Sequence, residues 1–378
     1  MPQLERPAAK ICQGNLILYA TSLRVRDLRQ VNFYRIDTLD PNQGTGYQRI
    51  LNETRANRLA EYLLSGHRTL ECFLPTSILL ATEQSLDFDL QTNTLTIDHR
   101  QGAFNVVDGQ HRIRGLVLAA AREPTLNDFE VPVNIAVNLN PISQMTHFLI
   151  VNTTQRAVDK AIEQQIVARL TQMIDFENTP VLPRWIQRQV DKGEDARALA
   201  IAQYLNDDPQ SAWYGKIRMA NEDDAAGEVT INQKSFVTSL KKTVLVPSNP
   251  IATDQWTVDK QQRVLGNYWR AIEELLVDVD DERSVVFKTN GLHLFHSASS
   301  TIFTYLANLK DFRRDTIRKL LGTAFNNLPT ESLELADPEF WRRGGKASGL
   351  NQAAIRKYAT ALATAVHSHP DGYNGISI

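Results

Sequence analysis

Between Asp108 and Arg114 the chain reads DGQHRIR, which sets a carboxylate, an amide, an imidazole and two guanidiniums around one glycine. An apolar run, FNVV, precedes this stretch and a helix-forming run, GLVLAAA, follows it. A glycine at a strand-to-helix corner lets the backbone approach a ligand closely, and the amides that open the helix have no acceptor within it. Gly109 stands where that geometry needs it, so the corner is built to hold an anion. Arg112 and Arg114 carry the planar fork that pairs phosphate oxygens. His111 can donate to phosphate or shuttle a proton, and Gln110 can meet a base edge or orient a water. Asp108 can cap the helix, orient an arginine or help hold a magnesium ion. Each residue alone also has a plain structural role, but five consecutive ones, Asp108 to Arg112, point to phosphate chemistry.

Other groups rank below this corner. GTGYQR, Gly44 to Arg49, joins a glycine turn to Tyr47, Gln48 and Arg49, and can close over a nucleotide or a flipped base; a turn with a packed tyrosine fits equally. The polar run NTTQR offers Asn152, Gln155 and Arg156 to the same pocket, against an ordinary helix end in a solvated loop. FWRRGGK sets Trp341 beside Arg342, Arg343 and Lys346, a mixture of stacking and charge suited to DNA. The basic run Lys310 to Lys319 fits a solvated helix face better than a DNA track. His293 and His296, and His367 and His369, lack a third ligand at metal-site spacing. The acidic stretch Val277 to Glu282 reads as a solvated loop. GGKAS, Gly344 to Ser348, lacks the earlier glycine of a phosphate-cradling P-loop, so nucleotide binding must rest on the DGQHR corner.

The elements that would position these residues alternate in the first half. NLILYATSL and QVNFYRI read as strands, and GTGYQRI as a turn entering a helix. Asn52 to Leu64 has amphipathic helical spacing with Asn52 as its cap. FLPTSILLAT reads as a buried strand, LDFDLQTNTLTIDH as a hairpin, FNVVDG and FEVPVNIAVNL as strands. NPISQMTHFLIVNTTQ opens on a cap-and-proline signal and reads as a helix ending near Asn152. Past Ala161 five helical patterns dominate, interrupted by IRMANEDDAAGEVTINQKSF, a polar hairpin or loop. The expected fold class is therefore α/β in the α+β sense: a mixed-sheet domain over residues 16–170 and a mainly helical domain over 171–378.

The bulk properties set limits. Hydrophobic residues form 42% and charged residues 22% of 378, ordinary for a folded chain. A formal net charge of -2 gives no global attraction to nucleic acid, so any such binding must use a local basic surface. Cys12 and Cys72 are too few for a disulfide framework or a cysteine zinc site. With no signal-peptide pattern and no apolar run of membrane-spanning length, the sequence points to the cytoplasm.

The residues DGQHR in this setting resemble the signature of the DGQHR-domain family, itself distantly similar to the ParB/sulfiredoxin fold. GYQRILNETRANRLAEYL, FLPTSILLA and FLIVNTTQRAVDKAI resemble that family's flanking segments, and WYGKIRM, FKTNGLHLF and FWRRGG are weaker echoes. The resemblance implies a ParB/sulfiredoxin-like N-terminal domain whose corner cradles nucleotide phosphates. Gly109, His111 and Arg112 then face phosphate, while Asp108 and Gln110 orient the ligand or a metal. It implies ATP or CTP with Mg2+ as cofactors. Family members serve bacterial DNA modification and defence. One branch, DndB-like, resembles a transcriptional regulator of DNA phosphorothioation. Another, DpdB-like, acts with a transglycosylase-like partner enzyme in inserting 7-deazaguanine and is implicated in nucleotide hydrolysis. DGQHRIRG leans toward the second. The leading expectation is an ATPase-like accessory protein with DNA and a modification enzyme as partners, no membrane contact and a possible homo-oligomer. The alternatives are a DndB-like DNA-binding regulator and a ParB-like nuclease with metal held by Asp108.

Overall fold

The computed structural model describes residues 3–41, 43–98, 102–155, 159–173, 182–222, 230–277 and 284–367. The chain divides into two compact units, Met1–Arg184 and Trp185–Ile378.

The first unit is a mixed sheet with helices. Strand β1 (Leu4–Gln13) turns at Gly14 into β2 (Leu16–Arg24). The short helix α1 (Val25–Leu28) and strand β3 (Tyr34–Arg35) follow. Helix α2 is Glu53–Thr69 and strand β4 is Ile78–Ala81. Strands β5 (Asp87–Asp89) and β6 (Thr94–Ile97) form the expected hairpin. Strand β7 (Phe104–Asp108) leads into α3 (Gln110–Arg122), then come β8 (Glu130–Val137), α4 (Pro141–Gln155) and α5 (Lys160–Met173). The eight strands lie in the order β3-β7-β4-β8-β2-β1-β6-β5. Strand β1 spans two parts of it, pairing β6 through Leu4 to Pro7 and β2 through Ala8 to Gln13.

The sequence dictates much of this by burial. In β8 the alternation of EVPVNIAV buries Val131, Val133 and Ile135, while Val106 of β7 and Leu80 of β4 join the same core. Helix α2 starts where Asn52 accepts the Arg55 amide at 2.9 Å and buries Ala56, Ala60, Leu63 and Leu64. Helix α3 buries Ile113, Leu116, Ala119 and Ala120 and packs beside α2. Burying such side chains stabilises by roughly 1.5–3 kcal/mol each for the larger aliphatics.

Three local expectations change. The sheet begins at Leu4, where Arg6 pairs the buried Asp27 at 2.7 Å and ties β1 to α1. QVNFYRI supplies only the two residues of β3. GTGYQRI does not enter a helix but forms a looped segment held by bridges from Thr38 to Gln48 and Asp40 to Thr45. Gly46 explains why: its φ is 67°, and a Cβ there would lie 1.9 Å from the Thr38 carbonyl oxygen.

The second unit is mainly helical, with α6 (Arg184–Lys192) at its start, then α7 (Glu194–Asp207), α8 (Gln233–Ser239), α9 (Val258–Leu276), α10 (Thr289–Leu309), α11 (Arg314–Asn326) and α12 (Gln352–His367). The polar stretch before α8 contains two strands, β9 (Ile217–Arg218) and β10 (Ile231–Asn232), which pair in parallel rather than as a hairpin. Trp213, Trp269, Phe236 and Phe287 pack edge to face at the core of this unit. Among the described residues no helix is long and apolar enough to cross a membrane.

Gly46 gives a direct test. Gly44→Ala meets no atom within 4 Å and carries only the strain of its φ of 62°, whereas Gly46→Ala adds a backbone collision. Urea denaturation is expected to show Gly46→Ala destabilised by about 2 kcal/mol or more, with Gly44→Ala near 1 kcal/mol.

Candidate functional site

Strand β7 delivers Asp108 to the end of the sheet, and the chain reverses into α3 through one residue. Gly109 holds φ 106° and ψ 11°, a left-handed conformation that side chains disfavour. A Cβ there would lie 3.2 Å from Ile78 Cγ1 and 3.3 Å from the Arg112 guanidinium, so the glycine also makes room for the arginine. No acidic residue occupies the first turn of α3, and its positive dipole end is left uncompensated within the helix. Asp108 Oδ2 and Arg112 Nη2 close at 2.5 Å, one turn apart and partly shielded from solvent.

Around this corner lies a cleft of about 520 Å³. Arg49, Arg55 and Arg112 bring positive charge, Leu59, Leu74, Phe148 and Ile162 supply apolar surface, and Gln48, Gln110, Asn152 and Asp159 complete the polar lining. Buried polar contacts set these elements in place. The Gln48 amide donates to the Val106 carbonyl on β7, and Arg169 of α5 donates to the Gly46 carbonyl. Asn105 of β7 accepts from Arg35 and donates to Gln144 of α4 at 2.5 Å. That chain of amides seats α4 against β7, from where Phe148 and Asn152 reach the cleft.

His111 is fixed as a neutral acceptor. Its Nε2 accepts the Asn52 backbone amide at 3.1 Å, at the start of α2. Burial lowers its pKa to about 4, helped by the positive charges of Arg49 and Arg55. The ring therefore joins two helix starts and is uncharged at neutral pH. Gln110 is buried; its Nε2 donates to the Arg49 carbonyl at 3.2 Å, and its Oε1 has no protein hydrogen-bond partner.

The structure thus brings Gln48, Arg49, Asp108, Gly109, Gln110, His111, Arg112 and Asn152 to one cleft. Asn152 donates its amide to the Phe148 carbonyl at 2.9 Å. Arg114 does not line the cleft and pairs with Glu53 at 3.2 Å. Tyr47 is buried behind the lining with its ring 5.4 Å from that of Phe148, and burial pushes its phenol well above the usual range. Gln155 ends α4, but its side chain lies outside the described residues, as does Arg156.

In the helical unit, Arg342 pairs with Glu339 and Lys346 with Glu334, both at 2.5 Å, while Arg343 is exposed. Trp341 is fully buried with its indole N–H donated to the Leu335 carbonyl, so its ring is not presented for stacking. His296 is buried in the aromatic core beside Ser239 Oγ, 2.9 Å from its Nδ1, and burial lowers its pKa to about 3. His369 and residues 278–282 lie outside the described residues, as does the His367 side chain.

Sequence reasoning missed Arg55 and the apolar wall. Arg55 carried a signal, since it sits in the first turn of the helix that Asn52 caps. Leu59, Leu74, Phe148 and Ile162 read as ordinary core positions, and only the packing of four elements assembles them.

A resident magnesium ion fits poorly. Asp108 and Asp159 are the carboxylates of the cleft lining. Asp108 Oδ2 is engaged by Arg112, and Asp159 Oδ1 accepts the Ala161 amide at 2.9 Å. Among the described residues no three histidine, cysteine, aspartate or glutamate side chains gather into a metal site. Magnesium commonly arrives held largely by its ligand's phosphates, and the cleft's own donors are mainly cationic.

Residues 6–165 match the family DndB, described as DNA-sulfur modification-associated. The match spans less than half of the chain but runs from within β1 to the start of α5 and takes in every cleft residue named above. No curated protein matches the chain.

The neutral His111 has a measurable consequence. In the unfolded chain it titrates near 6.5; in the folded protein it does so near 4. Its contribution to stability is therefore complete above pH 6.5 and is lost as pH falls toward 4, because the unfolded state takes up the proton first. Unfolding free energy measured across that window is expected to fall more steeply for the wild type than for His111→Gln. Histidine NMR titration of the folded protein should find one imidazole with its midpoint near 4 at this position.

Proposed function

We propose that, within a DNA-sulfur modification system, this protein is a DNA-binding regulator that holds a phosphodiester at the DGQHR corner without turning over nucleotide. The observation that carries this reading is the state of the corner's reactive groups. Asp108 is committed to Arg112, and His111 is neutral with its Nε2 already accepting an amide. The lining is otherwise rich in cationic and amide groups, which suits binding; a hydrolase needs a free base or a metal-held water. The match to a DNA-sulfur modification-associated family supports the same direction.

Binding would begin with Arg49 and Arg55, whose positive charge attracts a strand over several ångströms. The unpaired amides at the start of α3 would then receive phosphate oxygens, with Gly109 allowing the close approach. Arg112 keeps one edge for Asp108 and can offer another to the ligand.

One feature favours a second reading. Gln110 has a buried Oε1 without a protein partner, and such an acceptor can orient an attacking water in an ATP- or CTP-hydrolysing protein. In that reading magnesium comes with the triphosphate, and the chain serves 7-deazaguanine insertion beside a transglycosylase-like enzyme. A nuclease using metal on Asp108 has the weakest support, since that carboxylate is already paired.

One experiment separates these. Duplex DNA binding by the full chain is followed by anisotropy across a salt series, beside phosphate release from ATP, CTP and GTP with magnesium. Arg49→Ala combined with Arg55→Ala is expected to weaken DNA binding and to make the salt slope shallower by roughly two, one phosphate contact each. Phosphate release is expected to stay at background. Turnover that disappears in Arg112→Ala would instead establish the hydrolase.

A further inference from the structure

The helical unit contains a groove of about 610 Å³ that the corner does not involve. It runs between the start of α9 and the segment joining α10 to α11. Trp256 and Phe312 meet edge to face with ring centroids 4.9 Å apart, and Val264 and the half-exposed Leu309 extend this apolar floor. Asn267 fixes the far side by donating its amide to the Phe312 carbonyl at 3.0 Å.

The rim is cationic. Lys260 and Lys310 line the groove, are exposed, and enter no ion pair among the described residues. Arg313 lines it too, with Nε and Nη2 spent on Asp311 and the rest of its guanidinium open to solvent. Asp311 also lines it; hydrogen bonds from Arg313, the Arg313 amide and Thr316 Oγ1 hold its carboxyl well below the usual carboxylate range, so it stays ionised, and the paired Arg313 balances its charge. Arg263 stands at the same groove, paired with Asp259 on the preceding turn.

We propose that this groove is a second contact for the DNA backbone, resting on the reading above that the protein binds DNA. Lys260 and Lys310 take phosphates, and the Trp256–Leu309 floor receives the sugar edge between them. Aromatic surface flanked by uncommitted cations is the combination that tracks a nucleic-acid strand. The stretch that sequence reasoning favoured in this unit lacks it, because Trp341 is buried and both Arg342 and Lys346 face glutamates.

The test uses the full chain and a labelled duplex in a salt series. Lys260→Ala with Lys310→Ala removes two exposed amines without touching the core, and Trp256→Ala serves as a second, independent variant. The lysine pair is expected to lose about tenfold in affinity at low salt, with a slope shallower by roughly two. Trp256→Ala should lose affinity with the slope unchanged. Wild-type affinity and slope in both variants would overturn the proposal, and if Arg49→Ala with Arg55→Ala still weakened binding, the cleft reading would survive it. Loss in the groove variants alone would support the groove and remove the cleft from DNA binding. No duplex binding by the wild type would end both. Groove variants that lose polyglutamate binding but keep DNA would assign the surface to an acidic protein segment and overturn the DNA contact.

Discussion

The left-handed turn at Gly109 is the constraint on which the site depends. It lets β7 end and α3 begin within one residue, so that the first amides of the helix open where the strand stops. A side chain at this position would oppose φ 106° and press on Ile78 and on the Arg112 guanidinium. The same residue therefore sets the direction of the helix dipole and the position of the arginine that neutralises Asp108. The proposed phosphate site rests on that geometry.

Buried amides do the remaining alignment. Gln48, Asn105 and Gln144 are polar groups in an apolar setting, and each is hydrogen-bonded to a neighbouring element. An unmade hydrogen bond there would cost about 1–3 kcal/mol, so these contacts specify one arrangement of the loop at 44–49, β7 and α4. His111 extends the same logic to α2 through the Asn52 amide. A residue whose type suggests proton transfer is, in this setting, a neutral strut. That distinction favours a binder over a hydrolase at a corner whose composition alone suits both.

The two units use charge differently. In the N-terminal cleft, arginines gather beside a helix start, and Asp108 holds Arg112. In the helical unit several basic side chains are paired with acids on the same or a neighbouring helix, as with Arg314 and Arg318 on Glu274. Lys260 and Lys310 at the Trp256 groove enter no such pair among the described residues. Surface pairs of this kind contribute little to stability, but they decide which cations remain to meet an external anion.

Spacing along the chain specifies the corner, because its information is local. A strand, a glycine and a helix start lie in consecutive residues, and the spacing of FNVVDGQHRIRGLVLAAA specifies all three. It likewise determined the α2 cap at Asn52, the β5–β6 hairpin and the mixed-sheet and helical character of the two halves. What reaches the corner follows from long-range packing. Arg55 and Phe148 arrive from other helices, Arg114 turns to Glu53, and Trp341 is buried. These outcomes depend on long-range packing and on which carboxylate lies near which cation, and neither is written in spacing along the chain. The loop at Gly46 shows the boundary between the two. GTGYQR reads locally as a turn into a helix, yet a backbone carbonyl from Thr38 occupies the space a side chain would need and holds it as a loop.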